Sequence, residues 1–192
     1  MFEAIKRKFE KTPVYKTENG YDYFVYPYKG IIPIDIEEVR YLAEAMYSKM
    51  PKDIDLIFTV ETDGIFTALP LALLSGKPIV AARTFNYKMT DLFQFTQETG
   101  YQKRELFFSF DLTKIKRIVI VDCILSTGGT LRAAENLFRK LGVEVVGIYV
   151  VANKLNYSNT EFIDQINDKL FSFFDVEIVN GSLVVNRSKY YR

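Results

Sequence analysis

The sequence predicts an α/β fold of the doubly wound kind, a parallel sheet with helices on both faces. Three observations lead there. Residues 55–60, 78–82, 117–122 and 144–152 are short apolar runs with little polar alternation, as strands covered on both sides require. Helix-spaced segments lie between them, the order that builds parallel sheets. The chain has 192 residues, 48% of them hydrophobic and 26% charged, which suits one globular domain and not a disordered chain.

Taken in order, residues 1–11 alternate charge with single apolar side chains. They contain no apolar core of the length a secretory leader needs, and no later run is long enough to span a membrane. A cytoplasmic location is expected. Residues 16–30, with Asn19-Gly20 and Pro27, read as turns and short extended pieces. Residues 37–50 place Val39, Leu42, Ala43 and Met46 at helical spacing, with Asp35 as a cap and Pro51 as the stop. A helix over 65–75 stops at Gly76. A helix over 131–141 puts Leu131, Ala134, Leu137, Phe138 and Leu141 on one side and closes at Gly142.

Two segments break the alternation. Between Arg83 and Lys116 there is no helical pattern, and 92–96 and 105–110 look like two strands of an excursion. A connection this long in a compact domain is usually functional. Residues 175–186 hold two β-type runs around Asn180-Gly181, a hairpin signal.

Composition excludes whole classes of chemistry. The chain has no histidine, so imidazole-based nucleophile systems and histidine-ligated zinc are ruled out. A single cysteine, Cys123, excludes an internal disulfide and a cysteine-rich metal site. The formal charge of +1 gives no support to a broad nucleic-acid face.

The most informative string is RIVIVDCILSTGGTL, beginning at Arg117. An apolar strand ends on Asp122, and a loop with Ser126, Thr127, Gly128, Gly129 and Thr130 leads into a helix. Two glycines let the backbone approach an anion closely, the hydroxyls add donors, and the helix N-terminus adds partial positive charge. A phosphate monoester fits such a cradle. Asp122 stands at the carboxyl end of a central strand, where ligands bind in open α/β sheets, and its carboxylate can accept from sugar hydroxyls. The G-x-x-x-x-G-K-[ST] and G-x-G-x-x-G patterns of other nucleotide sites are absent. A strand-turn-helix junction using glycines only for a tight turn is the plain alternative.

This string resembles the phosphoribosyl-pyrophosphate signature of type I phosphoribosyltransferases. TPVYK, YDYFVYPYKGI, TGYQKREL and DVEIVNGSLVVN, in that order, are similar to the archaeal hypoxanthine/guanine group of that family. The resemblance implies a single domain over 1–192. In it, 1–36 and about 172–192 form a small hood or accessory part, and 37–171 form the core with a mobile loop at about 84–116. It implies transfer of 5-phosphoribose from phosphoribosyl pyrophosphate to N9 of a purine, with Mg2+ carried by the pyrophosphate and no metal held directly by the protein. A homodimer is implied as well, with neither nucleic acid nor membrane as a partner. Such a displacement needs positioning, charge stabilisation and water exclusion more than a strong base. In a chain without histidine, proton handling falls to the purine itself, water or backbone groups.

By the same resemblance, Ser126, Thr127, Gly128, Gly129 and Thr130 hold the 5′-phosphate and Asp122 is the catalytic residue, holding ribose hydroxyls. Glu61, Thr62, Asp63 and Gly64 match the pyrophosphate loop, although a helix start capped by Asp63 reads equally from the residues. Arg83 matches an arginine that reaches pyrophosphate, or is a surface charge. Tyr87, Lys88, Thr99, Gly100, Tyr101 and Lys103 lie in the expected loop, with Lys88 and Tyr101 chosen as substrate-binding. Lys154, after the fourth strand, matches a lysine that donates to purine O6. An ammonium only donates, so it suits an oxo group and not the amine of adenine; a solvated lysine is the alternative.

The chain departs from the pattern at Cys123, where relatives carry a second acid, and at Arg83-Thr84-Phe85, where they carry more cations. Cys123 is either part of the sugar site or a small buried side chain. Three readings follow: a hypoxanthine/guanine enzyme giving IMP or GMP, an adenine enzyme giving AMP, and a regulator that binds phosphoribosyl pyrophosphate without catalysis.

Overall fold

The computed structural model of the chain describes residues 1–98, 103–157 and 159–191. In chain order its elements are α1 (Phe2–Glu10), β1 (Val14–Lys16), β2 (Asp22–Phe24), α2 (Ile36–Lys49), β3 (Leu56–Val60), α3 (Asp63–Ser75), β4 (Ile79–Ala82), β5 (Phe93–Glu98) and β6 (Lys103–Phe108). There follow β7 (Arg117–Leu125), α4 (Gly129–Lys140), β8 (Glu144–Lys154), a 3₁₀ turn over Leu155–Tyr157, α5 (Thr160–Ile166), β9 (Leu170–Val179) and β10 (Ser182–Arg187). The main sheet has the order β10-β9-β8-β7-β3-β4. Strands β9, β8, β7, β3 and β4 run parallel, and β10 is antiparallel at one edge.

Each face of the sheet has its own core. On one, Ile57, Val119 and Val121 pack with Leu42 and Met46 of α2, Ala68 and Leu71 of α3, and Ile5 and Phe9 of α1. On the other, Phe58, Ile118 and Ile120 pack with Leu131, Ala134 and Phe138 of α4 and with Phe162 and Ile166 of α5. Successive residues of a strand point to opposite faces, and here both faces are apolar. That is why these strands read as continuous apolar runs, and the doubly wound expectation holds. Phe58 meets Phe138 and Phe108 edge-on, with centroids 4.7 and 4.9 Å apart. Burying one such ring contributes about 1.5–3 kcal/mol.

Local signals end the elements as expected. The Asp35 carboxylate accepts from the Glu37 and Glu38 N–H groups at 3.0 and 3.4 Å, and α2 ends just before Pro51. Gly76 closes α3 in the left-handed region at φ 67. Asn180 and Gly181, at φ 51 and 76, make the two-residue turn between β9 and β10.

The structure corrects several sequence expectations. Strand β7 does not stop at Asp122 but runs to Leu125, because β8 continues beside it, pairing Ile124 with Ala152 and Leu125 with Asn153. The C-terminal hairpin is part of the main sheet and not of a hood, since β9 pairs in parallel with β8 from Ile148–Leu170 onward. In the N-terminal segment, β1 and β2 form a separate two-stranded sheet. Helix α1 anchors it through Phe9, whose ring packs 6.2 Å from Phe24. The buried Glu38 ties this region together, accepting from Lys8 of α1 and from the Tyr28 hydroxyl. Helices α1 and α5 had no sequence reading; Asn159, which caps α5 by accepting from the Phe162 N–H, was a usable signal.

The excursion after β4 is a β5–β6 hairpin, as the two strand-like runs predict. One of its faces, Phe95, Leu106 and Phe108, is buried in the second core. The segment is therefore docked on the sheet along both strands.

Candidate active site

The chain leaves β3 toward β4 on one side and later returns to β7 on the other, so the order of strands reverses between β3 and β7. Loops leaving two such neighbours diverge to opposite faces and leave a crevice at their carboxyl ends. A cleft of about 910 Å³ lies there. It is lined by Glu61, Thr62, Asp63 and Gly64 after β3, by Asp122 and Cys123 of β7, by Ser126, Thr127, Gly128, Gly129 and Thr130, and by Lys154. Hydrogen-bonded pairing of β3 with β7 ends at Phe58–Ile120, so Asp122 projects past that partner into the opening.

Glycines decide how tightly the cradle is built. Gly128 precedes α4 at φ 76, a left-handed conformation that side chains resist. At Gly129 a Cβ would fall 1.7 Å from the Glu98 carbonyl oxygen, so the β5–β6 hairpin touches the cradle backbone directly. At Gly64 a Cβ would fall 2.3 Å from Thr59 Oγ1 and 3.2 Å from Asp122 Oδ1. The two loops can converge on Asp122 only with glycine at that point. The cradle hydroxyls are oriented by neighbours: Ser126 Oγ lies 2.7 Å from the Tyr21 hydroxyl, and Thr130 Oγ1 accepts from the Gln97 amide at 2.6 Å.

Asp122 and Cys123 share one environment. The Cys123 N–H donates to Asp122 Oδ1 at 2.7 Å. Burial raises the Asp122 carboxyl to about 6, with the charge of Asp63 adding to it and Arg104 opposing. Burial also pushes the Cys123 thiol well up, so it stays protonated and supplies none of the charge a second acid would. Cys123 is half-buried: it lines the cleft and packs against the first core.

The β3 loop has two structural roles. It lines the cleft, and it starts α3; Thr62 takes the cap position and Asp63 is the first helical residue, so Asp63 is not the cap. Asp63 accepts from the Lys29 ammonium at 2.7 Å. The Glu61 carboxylate is held by Thr84 and by Arg83, whose Nε is 2.6 Å away. These bonds to Thr84 and the charge of Arg83 outweigh burial and lower the Glu61 pKa.

Arg83 therefore reaches the loop but not the cleft lining, its guanidinium drawn to Glu61. Lys88 stands exposed at φ 54 and, with Tyr87 and Lys103, is away from the lining. Tyr101, Thr99 and Gly100 lie outside the described residues. Lys154 is at the cleft but is not a solvated lysine: it is 2% exposed, and its ammonium donates to the Asp22 carbonyl. Burial lowers it to about 8, against the charge of Asp22.

Sequence reasoning missed Arg104 and Gln97. They sit opposite each other on β6 and β5, and Arg104 donates to Gln97 and, at 3.0 Å, to the Glu61 carbonyl. The signal was available: Arg104 is in register with Leu106 and Phe108, so strand alternation aims it inward. Tyr21 and Lys29 were missed for a different reason, since only the fold brings the N-terminal segment over the cleft. Four acids, Glu18, Glu61, Asp63 and Asp122, and four bases, Lys16, Lys29, Arg104 and Lys154, line it among the described residues. Its formal charge thus balances as the whole chain nearly does.

Residues 31–178 match the phosphoribosyl transferase domain family. The hypoxanthine/guanine phosphoribosyltransferase of Methanosphaerula palustris is 35% identical over 158 residues, covering 81% of this chain and 86% of that one. Its namesake from Methanobacterium lacus is 29% identical over 192 residues, covering 98% of both. Among solved structures, the adenine phosphoribosyltransferase of Thermoanaerobacter pseudethanolicus superposes with a TM-score of 0.67 over 91% of this chain and 99% of that one. At 23% identity that likeness speaks for the fold. With the cradle and the acid both in the matched span, the chain belongs to the phosphoribosyltransferase family and is an enzyme of the pentosyltransferase class.

Proposed function

We propose that this protein transfers the 5-phosphoribosyl group of phosphoribosyl pyrophosphate to N9 of hypoxanthine or guanine, giving IMP or GMP and pyrophosphate. The observation that carries the choice of base is Lys154, whose ammonium stands on the cleft wall at the end of β8. It offers donors only, which match a 6-oxo group and not a 6-amino group. The archaeal relatives named for hypoxanthine and guanine support the same reading.

In the reaction the N9–C1 bond forms as the bond from C1 to the pyrophosphate oxygen breaks, and the N9 proton leaves to water or to a backbone group. The Ser126–Thr130 amides and hydroxyls grip the 5′-phosphate, which fixes C1. Asp122, largely ionised at neutral pH, accepts from ribose hydroxyls and faces the positive charge that grows on the sugar. Arg104 and Lys29 are the cations on the pyrophosphate side. The Asp63 and Asp122 carboxylates there fit a magnesium ion held mainly by phosphate oxygens and water. Magnesium, when bound, neutralises charge on the leaving pyrophosphate.

An assay with phosphoribosyl pyrophosphate, magnesium and each of adenine, hypoxanthine, guanine, xanthine, uracil and orotate tests the reading. Nucleotide is expected from hypoxanthine and guanine. Formation of AMP alone overturns the role of Lys154, and binding of phosphoribosyl pyrophosphate without turnover of any base overturns catalysis.

We further propose that two copies of the chain associate through α3. That helix is apolar all round, and its outward side carries Phe66, Leu69 and Leu73, which are 40, 45 and 77% exposed. Exposed Phe85, Tyr87 and Met89 follow β4 nearby in the chain. Leu73→Glu is expected to halve the mass measured by light scattering while changing stability by no more than about 0.5 kcal/mol. A monomeric wild type removes the assembly.

A further inference from the structure

Two side chains of the β5–β6 hairpin join the anion cradle to the loop after β3. Gln97 and Arg104 stand opposite each other, on the face that also buries Phe95, Leu106 and Phe108. Gln97 is 5% exposed, a polar side chain closing an apolar stripe, and both ends of its amide are partnered. Its Nε2 donates to Thr130 Oγ1 at 2.6 Å, and its Oε1 accepts from Arg104 Nε. Arg104 Nη2 donates to the Glu61 carbonyl at 3.0 Å, and all three side chains line the cleft. Chemistry fixes the direction of these bonds. A guanidinium only donates, so the oxygen end of the Gln97 amide must face Arg104. The nitrogen end, which also only donates, therefore faces Thr130; an amide turned the other way would set two donors against each other. Thr130 Oγ1 is the acceptor in this bond, and the one hydrogen of its hydroxyl is left for another partner.

We infer that Gln97 is a positioning residue for phosphate binding: with Arg104 it holds Thr130 as the acceptor of an amide hydrogen, so that the Thr130 hydroxyl presents its own hydrogen to a phosphate in the cradle. This rests on the reading of the cradle as the phosphate subsite. An unrestrained hydroxyl can turn either its hydrogen or a lone pair toward a ligand. One whose oxygen already accepts from Gln97 has its hydrogen to offer, and a hydrogen bond to a charged phosphate oxygen is of the stronger kind. Arg104 is itself tied to the Glu61 carbonyl, so the amide it orients is anchored to backbone on the far side of the cleft. The hairpin thereby sets a donor in the cradle from residues that carry no phosphate contact in the signature string.

The test is calorimetric binding of ribose 5-phosphate at neutral pH, with a melting curve for each protein. The proteins are wild type, Gln97→Glu, Gln97→Met, Thr130→Val and the double variant Gln97→Glu with Thr130→Val. Gln97→Glu keeps the shape but only accepts, so it takes the Thr130 hydrogen and should weaken binding about tenfold. Gln97→Met removes the donor without adding an acceptor, leaves that hydrogen free, and should weaken binding no more than about twofold. Thr130→Val should itself weaken binding about tenfold, and Gln97→Glu should then add no more than about twofold, since the hydroxyl it acts through is gone. Gln97→Glu should melt no lower than wild type, because its carboxylate accepts from both neighbours. Wild-type affinity in Gln97→Glu, or an equal loss in Gln97→Met, overturns the inference and leaves the phosphate reading standing. So does an undiminished loss in the Thr130→Val background, which would mean that charge alone repels the ligand. A melting temperature that falls along with the affinity of Gln97→Glu overturns it too, because a packing role would do that. Failure of the wild type to bind ribose 5-phosphate overturns the phosphate reading of the cradle, and this inference with it.

Discussion

Asp122→Asn is expected to lower turnover at least tenfold and, at the same time, to stabilise the fold at neutral pH. The tenfold loss corresponds to about 1.4 kcal/mol of barrier. On the proposed mechanism it follows from replacing a charge that faces the growing cationic sugar with a neutral amide of the same shape. The gain in stability follows from the carboxyl's environment. Burial, with Asp63 nearby, raises its pKa to about 6, whereas an aspartate in the unfolded chain ionises near about 3.9. Between those values the folded state binds a proton that the unfolded state does not, so stability falls as pH rises through about 6. At pH 7.5 the ionised group therefore costs about 1–3 kcal/mol, which asparagine does not. Denaturant unfolding at pH 7.5 and pH 4.5 reads this: the variant should be more stable than wild type at the first and close to it at the second. Unchanged turnover would remove Asp122 from the site, and an unchanged stability difference between the two pH values would remove its buried charge.

Gly129→Ala is the second large effect. In an ordinary helix, alanine gains up to about 1 kcal/mol over glycine. Here the added Cβ would fall 1.7 Å from the Glu98 carbonyl, a backbone atom that cannot swing aside. Either the β5–β6 hairpin lifts or the start of α4 retreats, and both displace groups on the cleft, since Gln97 of the hairpin orients Thr130 of the cradle. Turnover is expected to fall more than tenfold, with a net loss of about 1–3 kcal/mol of stability, the range for overpacked sites. Kinetics and thermal melting on one preparation check both. A variant as stable and active as wild type would mean that the hairpin does not sit against the cradle in solution.

The two predictions draw on different kinds of legibility. Asp122 was readable because its position depends on a local pattern, an apolar strand running into a glycine-rich turn. Gly129 was readable as a cradle glycine, but its contact with Glu98 was not, because the two residues lie on separate elements. The same division explains Lys154, recognisable after its strand yet expected as either a base donor or a solvated side chain. Its actual wrapping by Tyr21 and Asp22 comes from a segment more than a hundred residues earlier in the chain, joined by Tyr157 from the turn just after its own strand. Arg83 and Lys88 were named on residue type and position, and the fold places the first against Glu61 and the second at the surface, outside the cleft lining.

The sequence by itself determined the doubly wound class, the turns at Gly76 and Asn180-Gly181, and the glycine-rich turn that leads from β7 into α4. All of these rest on interactions among residues close in the chain: periodic burial, backbone conformations that glycine and asparagine tolerate, and helix ends. Only the tertiary structure decided that the C-terminal hairpin extends the main sheet, that Arg104 and Gln97 reach the cleft, and that Tyr21 lies against both Ser126 and Lys154. Each of those depends on which distant elements become neighbours, and periodicity along one segment carries no information about that pairing.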